Sequence, residues 1–164
     1  MTARARILVV DDEPSIAKLA GAVLAQQGYE VCTVTSPAEA LACAADGTID
    51  LVLSDFVMPE MNGPELIRKI QERSPSTAAV LMSGYMNEEL PVDIPLVVKP
   101  FSAATLVSVI SRVLEETRHA RQASRRAREE NPQLRRYHHT QASPLHASRL
   151  PGFHVEPLDL AREL

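Results

Sequence analysis

Acidic, hydroxyl and amine side chains follow four short apolar runs in this chain. Asp11-Asp12-Glu13 follows Ile7-Leu8-Val9-Val10, and Asp55 follows Leu51-Val52-Leu53-Ser54. Ser83-Gly84 follows Ala78 to Met82, and Lys99-Pro100 follows Leu96-Val97-Val98. Three carboxylates gathered at one point would repel each other. At ~4 Å and an effective dielectric of ~20, each like-charge pair costs roughly 4 kcal/mol. Raised pKa values, a cation or Lys99 must compensate. Hard oxygen ligands with room for water favour Mg²⁺, which takes one or two carboxylates plus phosphate oxygens. A Ser83 hydroxyl and a Lys99 ammonium facing the same point suit a phosphoryl group. An Asp carboxylate can be the nucleophile and form an aspartyl phosphate. The residues therefore read as a small acidic Mg²⁺ pocket for phosphoryl chemistry.

Each group also has a bland reading. An Asp pair after a strand is commonly a helix cap or a solvated turn. Ser-Gly alone is a turn, and Lys-Pro alone is a loop. What stands against chance is their order: acid pair, Asp, Ser, Lys at successive run ends.

The elements that must position them follow from periodicity. Five apolar runs read as strands: Ile7 to Val10, Glu30 to Val34, Leu51 to Leu53, Ala78 to Met82 and Leu96 to Val98. Between them lie helical patterns. Pro14 to Gln27 places Ile16, Leu19, Ala20, Val23 and Leu24 on one face, with Gly28 as a stop. Ser36-Pro37 opens a second helix as N-cap and first position, ending near Asp46-Gly47. Pro64 to Arg73 is a third, after a loop from Phe56 to Gly63. Ser102 caps a last helix with Leu106, Val107, Ile110, Val113 and Leu114 along one face. Strands without polar alternation are buried on both faces, which indicates a parallel sheet between helices. The βα order gives an α/β fold, an open doubly wound five-stranded parallel sheet, too small to close an eight-stranded barrel. In such a sheet the functional crevice lies beyond the carboxyl ends of the strands, where these residues stand.

Composition sets the frame. The chain has 164 residues, 45% apolar and 23% charged, with 4% aromatic and no Trp, so its core is aliphatic. Cys32 and Cys43 are too few for the disulfide framework of a secreted scaffold. The N-terminus is no signal peptide, and no run approaches the ~18 apolar residues of a membrane span, so a cytoplasmic protein without membrane contact is expected. The net charge of −4 is uneven. Residues 1–117 carry −8 and residues 118–164 carry +4 with all five His, which sets a boundary near residue 117.

The stretches Ile7 to Glu13, Leu53 to Gly63, Leu81 to Tyr85 and Val97 to Phe101 together resemble the receiver domain of two-component response regulators. The likeness covers about residues 5–117 and implies the flavodoxin-like receiver fold. It implies Asp55 as phosphoacceptor and Asp12 as direct Mg²⁺ ligand, with Asp11 acting partly through water. The backbone carbonyl of Val57 is a further ligand. It implies Ser83 as the switch hydroxyl, Lys99 as the cation pairing with the phosphoryl group, and a cis Lys99-Pro100 peptide. The donor is then the phosphohistidine of a sensor histidine kinase or histidine phosphotransfer protein. The domain also hydrolyses its own aspartyl phosphate. The output partner is unnamed, and a homodimer is left open.

Two departures from the family pattern stand out. The aromatic switch position, three residues before the Lys, is Leu96, so Tyr85 is a candidate to share the switch. The span from Ser83 to Lys99 contains Pro91 and Pro95, which leaves the fourth helix shortened or missing. Receivers of hybrid sensor kinases look similar here. Apolar Val57 and bulky Tyr85 are expected to restrict water at the phosphoryl group.

Beyond residue 117 the last helix continues into an Arg-rich stretch of good helix formers, and Asn131-Pro132 stops it. Residues 133–164 read as a largely disordered tail, with a docking segment at Phe153 to Leu164. His138-His139 reads as a loop pair, with no cysteine near. Three other functions stand as alternatives. A DNA-binding regulator could use the basic tail, but no recognition-helix pattern is present. An unphosphorylated pseudo-receiver would have no need of the whole pocket. A Mg²⁺-dependent phosphatase lacks an acid two positions after Asp55, where Val57 stands.

Overall fold

The computed structural model describes residues 4–84 and 93–130. Five strands form one all-parallel sheet: β1 (Arg6–Val10), β2 (Glu30–Val34), β3 (Leu51–Asp55), β4 (Ala78–Ser83) and β5 (Leu96–Val98), in the order β2-β1-β3-β4-β5. Four helices are described: α1 (Pro14–Gln26), α2 (Pro37–Cys43), α3 (Gly63–Arg73) and α4 (Ala103–Glu130). The shortened or missing helix expected between β4 and β5 falls on residues 85–92, outside the described residues.

Successive strand residues point to opposite faces, and here both faces are dry. Ile7, Val9, Leu51, Leu53, Val80 and Met82 pack with Ala17, Ala20 and Leu24 of α1 and Leu106, Ile110 and Val113 of α4. Leu8, Val10, Val52 and Leu81 pack with Ala40 of α2 and Leu66, Ile67 and Ile70 of α3. Each fully buried Leu, Ile or Val contributes roughly 1.5–3 kcal/mol relative to exposure, so the aliphatic core needs no aromatic anchor.

Three expectations are corrected. Leu19 was placed on the buried face of α1 but is 57% exposed, because Ala17, Gly21 and Leu24 line the sheet instead. Gly21 has to sit there: a Cβ would lie 2.5 Å from Thr33 Cγ2 on the β2 strand. Helix α2 ends at Cys43 rather than near Asp46, and Gly47 turns with φ +69°, a conformation suited to glycine. Strand β2 is at the sheet edge and is only half-buried, so its runs are less apolar in effect than they read.

The helix starts follow local chemistry. Ser36 accepts the Glu39 amide at 3.2 Å, Asn62 accepts the Glu65 amide at 2.8 Å, and Ser102 accepts the Thr105 amide at 3.0 Å. Proline occupies the first turn of α1, α2 and α3.

The chain divides into two units after Ser124. Composition changes at residue 117, but packing of the first unit continues: Arg121 pairs with Asp50 at 3.3 Å and also donates to the Ser76 carbonyl. In the second unit, described from Arg125 to Glu130, Arg125 pairs with Glu129 at 3.6 Å along α4. The expected tail, its His pair and its docking segment lie outside the described residues. No helix among the described residues is long and apolar enough to cross a membrane.

Candidate functional site

Strands β1 and β3 are neighbours, and the strand order reverses there, so their carboxyl ends flank one crevice. This brings Asp11, Asp12 and Asp55 together although 44 positions separate β1's acids from β3's end. Each offers a carboxylate oxygen, and these oxygens lie within 4.8 Å of one another. Asp11 is buried, Asp55 is nearly so, and Asp12 faces solvent.

Lys99 reaches in from the end of β5. Its Nζ donates to Asp11 Oδ2 at 2.6 Å and to Asp55 Oδ1 at 2.7 Å. The Lys99 amide donates to the Ser83 carbonyl at 2.7 Å, and the Lys99-Pro100 peptide is cis. Asp11 serves two partners, because its other oxygen accepts the Glu13 amide at 3.0 Å, while its own amide donates to the Val34 carbonyl at 3.3 Å. One Asp11 oxygen thus closes the local turn and the other faces Lys99 in the acidic cluster.

The charges are unequal in effect. Burial pushes the Asp55 carboxyl above its ordinary value; the Lys99 hydrogen bond and charge pull it back, and the charges of Asp11 and Asp12 raise it further. For Lys99, burial disfavours the ammonium, but the hydrogen bonds to Asp11 and Asp55, with their charges, outweigh it and raise its pKa. The repulsion foreseen among the acids is thus met by Lys99, within the protein itself.

Ser83 ends β4 and is buried, opposite Val98 in the ladder. Leu96 starts β5 beside Leu81 and packs on the cluster that holds Leu8, Val10 and Leu66. Val57 sits in the loop after Asp55 and is 66% exposed. Tyr85 lies outside the described residues.

Sequence reading passed over Gly63 as merely the end of a loop. A Cβ there would lie 2.2 Å from the Asp55 carbonyl oxygen and 2.8 Å from Leu81 Cδ2. Its amide donates to the Phe56 carbonyl at 2.9 Å, while the Phe56 amide donates to the Met82 carbonyl at 2.8 Å. Gly63 therefore lets α3 start against the backbone of Asp55. The only hint in the sequence is the Asn62-Gly63-Pro64 turn chemistry.

The donor set suits a small hard cation: three carboxylates, one of them solvent-facing, with no sulfur or imidazole among them.

Comparison with known proteins bears on this arrangement. The sequence model of the response regulator receiver domain matches residues 7–111. The sensor kinase CckA of Brucella abortus (strain 2308) is 32% identical over 124 residues, covering 71% of this chain and 13% of that protein. The regulatory protein AtoC of Escherichia coli K12 is 33% identical over 135 residues, covering 75% of this chain and 29% of that protein. The chain thus spans less than a third of either relative. Among solved structures, the chemotaxis protein CheY4 of Vibrio cholerae superposes with a TM-score of 0.64 at 31% identity, over 68% of this chain and 99% of that one.

Proposed function

Since the chain belongs to the response regulator receiver domain family of two-component systems, we propose that Asp55 accepts a phosphoryl group from the phosphohistidine of a sensor histidine kinase or histidine phosphotransfer protein. The observation that carries this reading is the Asp55 carboxylate at the end of β3, held by Lys99 at 2.7 Å beside two further acids.

Asp11, Asp12, Asp55 and the Val57 carbonyl would hold Mg²⁺. When bound, Mg²⁺ supplies charge neutralisation for the incoming phosphoryl oxygens. The protein's own groups do the rest. Asp55 presents one carboxylate oxygen to phosphorus in line with the breaking N–P bond, and the imidazole leaves. Such a transfer needs positioning and charge complementarity more than acid–base chemistry. Lys99 favours the anionic form of the buried Asp55 carboxylate before transfer. Once Asp55 is converted to the acyl phosphate, the ammonium is released to a phosphoryl oxygen, and the Ser83 hydroxyl donates to another. Drawing Ser83 inward moves the β4–β5 side of the sheet, a shift between two packings. Leu96 replaces an aromatic switch, so this face repacks without ring rotation on β5.

The same proposal assigns residues 1–117 to a receiver that signals by protein contact and residues 118–164 to a basic helical extension and tail. Apolar Val57, two positions after Asp55 and exposed, together with Tyr85 restricts water at the phosphoryl group and slows its loss.

The test is phosphorylation by acetyl phosphate, with and without Mg²⁺, read by intact mass. A Mg²⁺-dependent, base-labile adduct that is absent in Asp55→Asn supports the reading. Absence of any adduct from acetyl phosphate and from a panel of phosphorylated histidine phosphotransfer domains overturns it in favour of an unphosphorylated binding module.

A further inference from the structure

The only two cysteines of the chain lie on neighbouring elements, and neither belongs to the acidic cluster. Cys32 is at the centre of edge strand β2, and Cys43 is the last residue of α2. Eleven positions apart, their Sγ atoms are 3.2 Å from each other. Both thiols are free and partly exposed. Both pack against the cluster formed by α2, α3 and the sheet, with Val34 and Leu41 as neighbours.

We propose that Cys32 and Cys43 form an oxidative modification site, a dithiol that closes to an intramolecular disulfide by exchange with a small-molecule disulfide such as oxidised glutathione.

The geometry favours closure. A disulfide has its sulfurs about 2.05 Å apart, so the two atoms must approach by only about 1.2 Å. Cys43 sits where α2 ends, and the helix terminus can shift without breaking the ladder that holds Cys32 against Leu8. Oxidation requires access, and neither thiol is sealed. A surface cavity lined by Arg6, Glu30, Cys32 and Ile49 reaches Cys32 from the strand side.

Burial, followed by the hydrogen bond to Cys43, pushes the Cys32 thiol up to about 11. Either thiol, once it has lost its proton to solvent, attacks one sulfur of the oxidised glutathione, forming a protein–glutathione bond and expelling one glutathione thiolate, which takes a proton from solvent. The other thiol loses its proton to solvent and attacks the protein sulfur of that mixed disulfide. The protein S–S bond forms, and the second glutathione leaves and takes a proton from solvent. Two protein thiols are oxidised, and one small disulfide is reduced to two thiols.

The bridge would join α2 to the strand whose Val34 carbonyl holds the Asp11 amide. It thus lies next to the acidic site without including any of its side chains.

The test equilibrates the whole chain with a series of reduced and oxidised glutathione mixtures, blocks remaining thiols by alkylation, and reads intact mass without reduction. The expected product is lighter than the dithiol by two hydrogens, takes no alkyl group and carries no glutathione. Proteolysis then yields one linked pair of peptides holding Cys32 and Cys43. Cys32→Ser and Cys43→Ser chains are expected to accumulate a single glutathione adduct instead. A wild-type chain that keeps glutathione on either thiol, cross-links between molecules, or stays fully alkylatable in excess oxidised glutathione overturns the proposal. The deciding measurements are on the wild-type chain, so a variant that misfolds does not blur them.

Discussion

Lys99 donates to Asp55 across 2.7 Å, from the end of β5 to the end of β3, with β4 lying between them in the sheet. The same ammonium reaches Asp11 at 2.6 Å. One long flexible cation therefore links the ends of β1, β3 and β5 and neutralises acids at two of them. Lys99→Met removes it and leaves the acids facing each other. Loss of one partner of a buried pair costs ~3–5 kcal/mol and of a surface pair ~0–1 kcal/mol. With Lys99 and Asp55 side chains 16% and 12% exposed, a loss of about 2 kcal/mol is expected. Urea unfolding with and without Mg²⁺ checks this, and the ion should restore part of the loss. An unchanged midpoint would contradict the role assigned to Lys99.

Asp55 and Lys99 set pH signatures of the same sign in two separate windows. The folded pKa of Asp55 is raised above 3.8, chiefly by burial. Its protonated form is therefore favoured by folding, and that stability is present below 3.8 and lost as pH rises through the raised value. Asp55→Asn should accordingly be more stable than wild type at neutral pH, with the gap closing in acid. The folded pKa of Lys99 is raised above 10.5, where burial is outweighed by its two carboxylate partners. Its stabilisation is full below 10.5 and lost as pH rises through the raised value. Thermal melts of both chains from acid to alkaline pH would reveal these windows, and a pH-independent gap would refute the first.

Mg²⁺ should raise the melting temperature of the wild-type chain. A ligand at tenfold its Kd adds about 1.4 kcal/mol, or roughly 4 °C for a domain of this size. Asp12→Ala removes a solvent-facing carboxylate from the cluster and should abolish the shift with little change in ion-free stability. Differential scanning fluorimetry at increasing Mg²⁺ decides the matter; an undiminished shift in the variant would move the ion elsewhere.

Gly63→Ala should damage both fold and site. The new methyl would lie 2.2 Å from the Asp55 carbonyl oxygen, too close for any side-chain adjustment, so backbone must move. Overpacking of this kind costs about 1–3 kcal/mol. Asn62→Ala, which only removes the cap on Glu65, should cost about 1 kcal/mol and leave phosphoryl acceptance intact. Comparing urea midpoints and acetyl phosphate labelling of the two variants separates loss of stability from displacement of Asp55.

The alternation of β and α patterns was legible because buried parallel strands are apolar on both faces, and Ile7 to Val10 and Leu51 to Leu53 are buried as such runs should be. The caps Ser36 and Ser102 were legible too, since capping is a contact within four residues. Leu19 was misread because periodicity reports a helix face but not which part of it meets the sheet; the close approach of Gly21 to β2 turns α1 so that Leu19 faces out.

From the sequence alone came the chemical inventory of the rim: Asp11, Asp12, Asp55, Ser83 and Lys99, each placed by the end of its own apolar run. These are local properties, settled by residue type and by where a strand stops. The tertiary structure decided which of them meet. Strand order sets β1 beside β3, so Asp11 and Asp55 share Lys99. The same packing put Gly63 against the Asp55 backbone and brought Cys32 within 3.2 Å of Cys43. Such contacts depend on sheet order and helix rotation, which are set by how the whole core packs and leave no mark on the residues at either end.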